Sequence, residues 1–227
     1  MHIKGKDSQP EENTNISIEG TNLEKVKDFK YLGSIKSENG NCKADVKSRI
    51  GMAKQKMLQL NNIWKDRGMP KELKLKILRC LIWPVVKYGC EAWTLKKEEE
   101  RMINAVEMWL YRRLLRVSWK DRRTNNSILE ELSVQRKLLL DIQKRRLKYM
   151  GHAIRNTKTD LMATVLQGKV EAKRNRGRPP ASYMSYTTEY SGLKLSEVVH
   201  QSRDRDVWRD VVAGCGAPTV EDGDGNR

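Results

Sequence analysis

Six residues, Val46, Ile50, Ala53, Met57, Leu60 and Trp64, recur at steps of 4, 3, 4, 3 and 4. A helix of 3.6 residues per turn gathers such a set into one apolar stripe, whereas a strand would scatter it over both faces. The stretch from residue 43 is therefore a helix that has to pack its stripe against neighbours. Gly68 suits the position just past it, and Pro70 the first turn of a second helix carrying Leu73, Ile77, Cys80 and Leu81. Pro84 should kink or end that helix, because proline lacks the N–H the ladder needs. A third helix follows, with Thr94 as its expected cap and Glu98, Glu99 and Glu100 in its first turns. Arg112, Arg113 and Arg116 fall in its last turn, so the charges suit the helix dipole at both ends. Its buried stripe reads Ile103, Val106, Leu110, Leu114 and Val117.

Upstream the period is two. Ile16 and Ile18 alternate with Ser17 and Glu19 before Gly20, and FKYLGSI at 29–35 reads as a second strand, bounded downstream by the turn dipeptide Asn39-Gly40. Downstream, a polar connector at 121–126 precedes helical stretches at Ile128–Leu132 and from Val134 to about Met150. Residues 168–182, with Gly168, Gly177, Pro179 and Pro180, read as an extended basic segment. A last helix is predicted over Leu195–Val212 with Trp208 as its anchor, before a Gly-rich acidic tail.

The predicted class is mainly α. A β-hairpin at 16–41 precedes a helical bundle at 43–117 and a basic helical region at 118–155. A basic linker at 156–182 and a C-terminal helical segment at 183–213 follow, and 1–15 and 214–227 read as disordered tails.

Hydrophobic residues make up 38% of the chain and mean hydropathy is −0.74, so any core is modest. Forty-five Lys and Arg against 29 Asp and Glu give a net charge of +16 and a pI near 9.7, which makes polyanions the natural partners. No apolar run approaches the ~18 residues of a membrane span, and the polar start lacks a signal-peptide core. The sequence reads as intracellular, nuclear or cytoplasmic, without a membrane partner. Cys42, Cys80, Cys90 and Cys215 form no CxxC pair and read as reduced thiols.

Basic residues concentrate in two motifs. In KRRLK at 144–148, Lys144, Arg145 and Lys148 share a helical face, which is either a solvated face, a nuclear localisation patch or the start of a phosphate-binding stripe continuing to His152 and Arg155. No other histidine or cysteine is near His152 in sequence, which argues against a metal site and for a hydrogen-bonded or phosphate-contacting imidazole. In KRNRGRPP, Lys173, Arg174, Arg176, Gly177, Arg178 and Pro179 suit either a solvated linker or an AT-hook-like insertion into a narrow minor groove. Trp64, Trp83, Trp93, Trp109 and Trp208 fit core positions, whereas Trp119 lies among Lys120, Arg122 and Arg123, where it could stack on bases.

FKYLGS, SRI, WPVVKYGCEAW, DRRTNN, the RRL and GH of residues 145–152, RGRP and DRDVWR occur in this order. The series resembles the C-terminal third of non-LTR retrotransposon reverse transcriptases of the endonuclease-reverse transcriptase type, across roughly residues 16–212. The resemblance implies that Tyr31, Leu32 and Gly33 lie in the hairpin supporting the primer end, and that residues 43–117 form the helical thumb following the palm. It also implies partners: element RNA, primer-template or target DNA, with no small-molecule substrate. Oligomeric state is not legible.

The chain departs from that family in two ways. Polymerases of this kind need paired aspartates holding two Mg²⁺ ions, and the close acidic pairs here do not fit. Glu11-Glu12 lie in a polar tail, Glu98 to Glu100 at a helix start and Glu130-Glu131 on a helix, while Asp204 and Asp206 flank an arginine. The Cys and His knuckle that some relatives carry is also missing. The expectation is a nucleic-acid-binding fragment, inactive by itself and without a cofactor, whose palm, Mg²⁺ and endonuclease would belong upstream. The alternatives are a stand-alone architectural DNA binder using RGRP and a helical protein-interaction module.

Overall fold

The computed structural model describes residues 26–155 and 183–215, together with 17–19, 21, 22 and 24. It is mostly helical, with short antiparallel strands at the start, as the sequence predicts. Two units are distinguished: the first runs to Gly89 and resumes over Thr94–Gln135, and the second comprises Cys90–Trp93 and the chain from Arg136 onward.

In the first unit, β1 (Ser17–Ile18) pairs with β2 (Thr21–Asn22), and β3 (Asp28–Tyr31) pairs with β4 (Ser34–Ser37) in register Tyr31↔Ser34. FKYLGSI is thus a hairpin rather than the single strand expected. Its tip, Leu32 and Gly33, has positive φ at both positions (46° and 82°), as a two-residue turn matching the strand twist requires. Glycine takes this conformation freely; Leu32 does not. The tip is fixed from outside. Arg49 Nη2 donates to the Gly33 carbonyl at 2.5 Å, the Tyr88 hydroxyl donates to the Leu32 carbonyl at 3.0 Å, and the Arg49 guanidinium lies 4.2 Å from the Tyr88 ring centroid. Gly89 (φ 72°) completes the joint, since a Cβ there would meet Ser34 Oγ at 2.6 Å.

The predicted stripe of α1 (Lys43–Gln59) holds: Val46, Ala53 and Met57 are buried, and Trp64 continues the face from α2 (Asn61–Lys65) after a break at Leu60. The stripe predicted after Pro70 is wrong in phase. α3 (Lys71–Ile77) runs into a π turn (Leu78–Ile82) and then α4 (Trp83–Lys87), burying Leu75, Leu78, Ile82 and Val86 while Leu73, Cys80 and Leu81 are exposed. Pro84 accounts for the π turn. Its ring would clash with the Cys80 carbonyl and it has no N–H to donate, so the chain widens by one residue and the Trp83 N–H reaches back to Leu78 O. Lys74, buried, donates to Trp64 O at 3.2 Å and to Asp66 O, closing the end of α2.

α5 (Lys97–Leu115) starts after Lys96, not Thr94: Glu99 Oε2 reaches back to accept the Lys96 N–H at 2.8 Å, and the Thr94 carbonyl instead accepts from Cys42 Sγ at 3.3 Å. Ile103, Val106, Leu110 and Leu114 are buried as predicted, and Val117 is half-buried beyond the helix end. A single turn (Trp119–Asp121) then leads to α6 (Asn125–Glu131), capped by Thr124 Oγ1.

The second unit is built on α7 (Leu138–Arg155), packed with α8 (Tyr183–Ser191), α9 (Leu195–Gln201), α10 (Arg205–Gly214) and the turn Cys90–Ala92. The helix predicted over Leu195–Val212 is two helices, because Asp204 Oδ1 accepts the N–H groups of Asp206 (2.8 Å) and Val207 (3.1 Å) and so starts a new one. Trp208 is the anchor expected. It is buried among Leu147, Met150, Ile154, Met184, Val198 and Val212, and its Nε1 donates to Leu147 O at 2.9 Å.

Two glycines give opposite expectations. A Cβ at Gly151 would stand 2.3 Å from the Trp208 ring, whereas Gly51 has nothing within 4 Å. Gly151→Ala should lower stability by about 1–3 kcal/mol through overpacking, and Gly51→Ala should raise it by up to ~1 kcal/mol through helix propensity; urea unfolding followed by circular dichroism measures both. A second expectation concerns Glu131, whose carboxyl is held below its usual range by Lys71 and then Arg123. Its contribution is present above the unfolded glutamate pKa of ~4.3 and is lost as pH falls through the lower folded value. Glu131→Gln should cost up to ~1 kcal/mol at neutral pH, with the difference from wild type vanishing in acid.

Candidate nucleic-acid interface

The last turn of α5 ends with a residue in an unusual conformation. Arg116 has φ 60° and ψ 29°, where glycine is the usual choice, while Val117 N–H bonds Arg112 O at 2.9 Å and Arg116 N–H bonds Arg113 O at 3.2 Å. These bonds satisfy two terminal carbonyls. Arg112 turns away, Nη2 donating to Arg123 O and Asn125 Oδ1. Arg113 and Arg116 instead line a cleft of ≈ 330 Å³ together with Lys65, Asn61, Val117 and Ser118. Among the described residues, no carboxylate lines it. The acids nearest in sequence are turned to main-chain N–H groups: Asp66 Oδ1 accepts from Gly68 at 2.8 Å and Asp121 Oδ2 from Ser118 at 2.6 Å.

The sequence shows Arg113 and Arg116 as cations matching a helix dipole. Nothing in it brings in Lys65, which sits at the end of a different helix and reaches the cleft through the packing of α2 on α5.

The predicted basic run on α7 is divided among different roles. Lys144 Nζ donates to Ala213 O at 2.9 Å, Arg145 pairs with Glu91, and Arg155 Nη1 donates to Ser202 O at 2.6 Å. The Glu91 carboxylate raises the Arg145 pKa further. Lys148 and His152 are exposed and, four residues apart, share one face. Arg146, not singled out in the sequence, is buried. Its guanidinium carbon lies 4.9 Å from the Tyr183 ring centroid and 5.4 Å from that of Tyr190. Burial pushes the Tyr183 hydroxyl up to about 12, and the Arg146 charge opposes that rise.

Tyr31 and Leu32 are exposed at the hairpin tip, with the Phe29 and Tyr31 rings 6.5 Å apart. Gly33 is held beneath Arg49, as described above. Lys173, Arg174, Arg176, Gly177, Arg178 and Pro179 lie outside the described residues.

Glu11 and Glu12 lie outside the described residues, and most of the other acidic side chains singled out in the sequence have structural partners. Glu98 pairs with Lys43 and its carboxyl is held low by that lysine, Glu99 caps α5, and Glu100 lies 3.5 Å from Lys97. Glu131 bridges Lys71 and Arg123, Asp204 caps α10, and Asp206 pairs with Arg209 at 3.0 Å. Among the described residues, no three His, Cys, Asp or Glu side chains are grouped to hold a metal ion, and no helix is long and apolar enough to cross a membrane.

No family profile matches the chain, and no solved structure does. The chain is similar to an uncharacterized transposon-derived protein of Caenorhabditis elegans, with 25% identity over 138 residues, or 60% of this chain and 49% of that protein. The match thus spans about half the length of the relative, and the likeness is to a transposon-derived protein.

Proposed function

We propose that this chain binds nucleic acid through the phosphate backbone, as the thumb and post-thumb part of a retrotransposon reverse transcriptase, and carries no polymerase chemistry itself. The observation that carries this reading is the cleft at the end of α5, where Lys65, Arg113 and Arg116 converge without a carboxylate. Three cations gathered on one surface repel one another, and a bound phosphate relieves that repulsion while releasing condensed counterions. The net charge of +16 supplies the longer-range attraction. The likeness to a transposon-derived protein and the ordered motif series support the retrotransposon assignment.

The test is binding of the full chain to duplex nucleic acid across a salt series. If about 6 phosphates are neutralised, log K against log[salt] falls with a slope of about −5. Lys65→Gln should weaken binding to all sequences alike and reduce the slope by about one. A flat salt dependence contradicts the proposal and points to an apolar or protein partner. The same preparation should extend no primer in Mg²⁺ or Mn²⁺, and template-dependent incorporation above a buffer control would refute the non-catalytic assignment.

A further inference from the structure

Trp119 is 83% exposed, whereas Trp64, Trp83, Trp93 and Trp208 are each at most 4% exposed. The indole is not on a slack loop. The turn Trp119–Asp121 is closed at both ends: Asp121 Oδ2 accepts the Ser118 N–H, the Asp121 N–H returns to Ser118 O at 3.2 Å, and the Arg122 N–H bonds Trp119 O at 3.3 Å with Arg122 at φ 47°. Backbone bonds therefore fix the turn from which the indole projects, and a large hydrophobic surface is left unburied in water. Its neighbours in sequence, Lys120 and Arg122, are exposed cations. The preceding residue, Ser118, lines the basic cleft, and consecutive Cα atoms lie only ~3.8 Å apart.

An exposed aromatic ring on a hydrogen-bonded turn, next in sequence to a residue lining a carboxylate-free cationic cleft, matches the chemistry of one nucleotide, a flat base joined to a phosphodiester. In a duplex both faces of an internal base are covered by its stacked neighbours, so a protruding indole finds a free base face only where the strand is unpaired. We infer that the Trp119 turn and the Lys65, Arg113 and Arg116 cleft form a binding site for unpaired nucleotides of RNA or DNA, with the base stacked on Trp119 and its phosphate in the cleft. This rests on the nucleic-acid-binding function proposed above and adds to it a preference for single strands. The cleft volume of ≈ 330 Å³ lies at the lower end of the ~300–1,000 Å³ of small-ligand sites, room for a phosphate and part of its sugar.

The experiment compares full-length wild type with three variants on labelled oligothymidine and oligouridine, on abasic versions of each and on a duplex, at one fixed salt concentration. Trp119→Ala should weaken binding to both intact single strands by about ten-fold, leave the abasic strands and the duplex unchanged, and be largely rescued by Trp119→Phe. Oligodeoxyuridine, added as the DNA counterpart of oligouridine, identifies the preferred sugar from unequal losses on those two, since the 2′-hydroxyl is their only difference. Arg116→Gly separates binding from folding. It removes strain at a left-handed position and should raise the unfolding midpoint, yet it should weaken intact and abasic strands alike and reduce the single-strand salt slope by about 0.7. The inference fails if Trp119→Ala changes single-strand affinity by less than about two-fold, or weakens abasic strands as much as intact ones. If wild type binds no nucleic acid even at low salt, the proposed function fails and this site with it. If wild type binds with a steep salt dependence and the Trp119 variants match it, only the site assignment fails.

Discussion

Both units are closed by cationic side chains that donate to main-chain carbonyl oxygens. Arg49 holds the hairpin tip through Gly33 O, Lys74 closes α2 through Trp64 O and Asp66 O, and Arg112 fixes the loop before α6 through Arg123 O. In the second unit Lys144 and Arg155 reach Ala213 O and Ser202 O, near the ends of α10 and α9. The last carbonyls of a helix lack intrahelical partners and carry the negative end of its dipole, so a cation there gains both a hydrogen bond and a favourable field. Hydrogen bonds to charged groups are worth ~1.5–3 kcal/mol net. A carbonyl acceptor satisfies the donors of a lysine or arginine without cancelling its charge, as a carboxylate would. A chain with a modest apolar content can be knitted together this way and still present a positive field to a polyanion.

Apart from RGRP, which lies outside the described residues, the motifs that carried the family resemblance turn out to be the joints of the fold. FKYLGS, SRI and the KYG of WPVVKYGCEAW meet where Arg49 and Tyr88 clasp Leu32 and Gly33, and where Gly89 leaves room for Ser34. CEAW and RRL meet at the Glu91–Arg145 pair, and GH and DRDVWR where the Trp208 ring covers Gly151. In DRRTNN, Arg123 pairs with Glu131, Thr124 caps α6 and Asn125 accepts from Arg112. Their order along the chain is legible in the sequence; their physical work is visible only when the partners come together. The side chains that line the basic cleft belong to none of these motifs.

Elements whose signal is local and periodic were legible. The α1 and α5 stripes and the Trp208 anchor each follow from spacing and residue type alone. Elements set by an exception were not. Leu32 at positive φ hides a turn inside what reads as one strand, a π turn interrupts the ladder ahead of Pro84, and the buried face runs through Leu75 and Ile82 rather than Leu73 and Leu81. Asp204 divides a continuous pattern because its carboxylate caps a new helix. At the candidate interface, the sequence marks Trp119 as unusual by its basic neighbours, while Lys65 joins Arg113 and Arg116 only through tertiary packing. Arg146 looked like one more cation of a surface run; its burial between Tyr183 and Tyr190 depends on a helix not separately recognised in the sequence.

The central claim is that cations free of carboxylates, rather than those used as joints, meet nucleic acid. Hydrogen exchange of the full chain, with and without a saturating single-stranded oligonucleotide, tests it most directly. The account predicts slowed exchange in peptides covering 61–68 and 113–123, with no change where Lys144 holds α10. Slowing confined to residues outside both segments, or no slowing under conditions where binding is saturated, would contradict it.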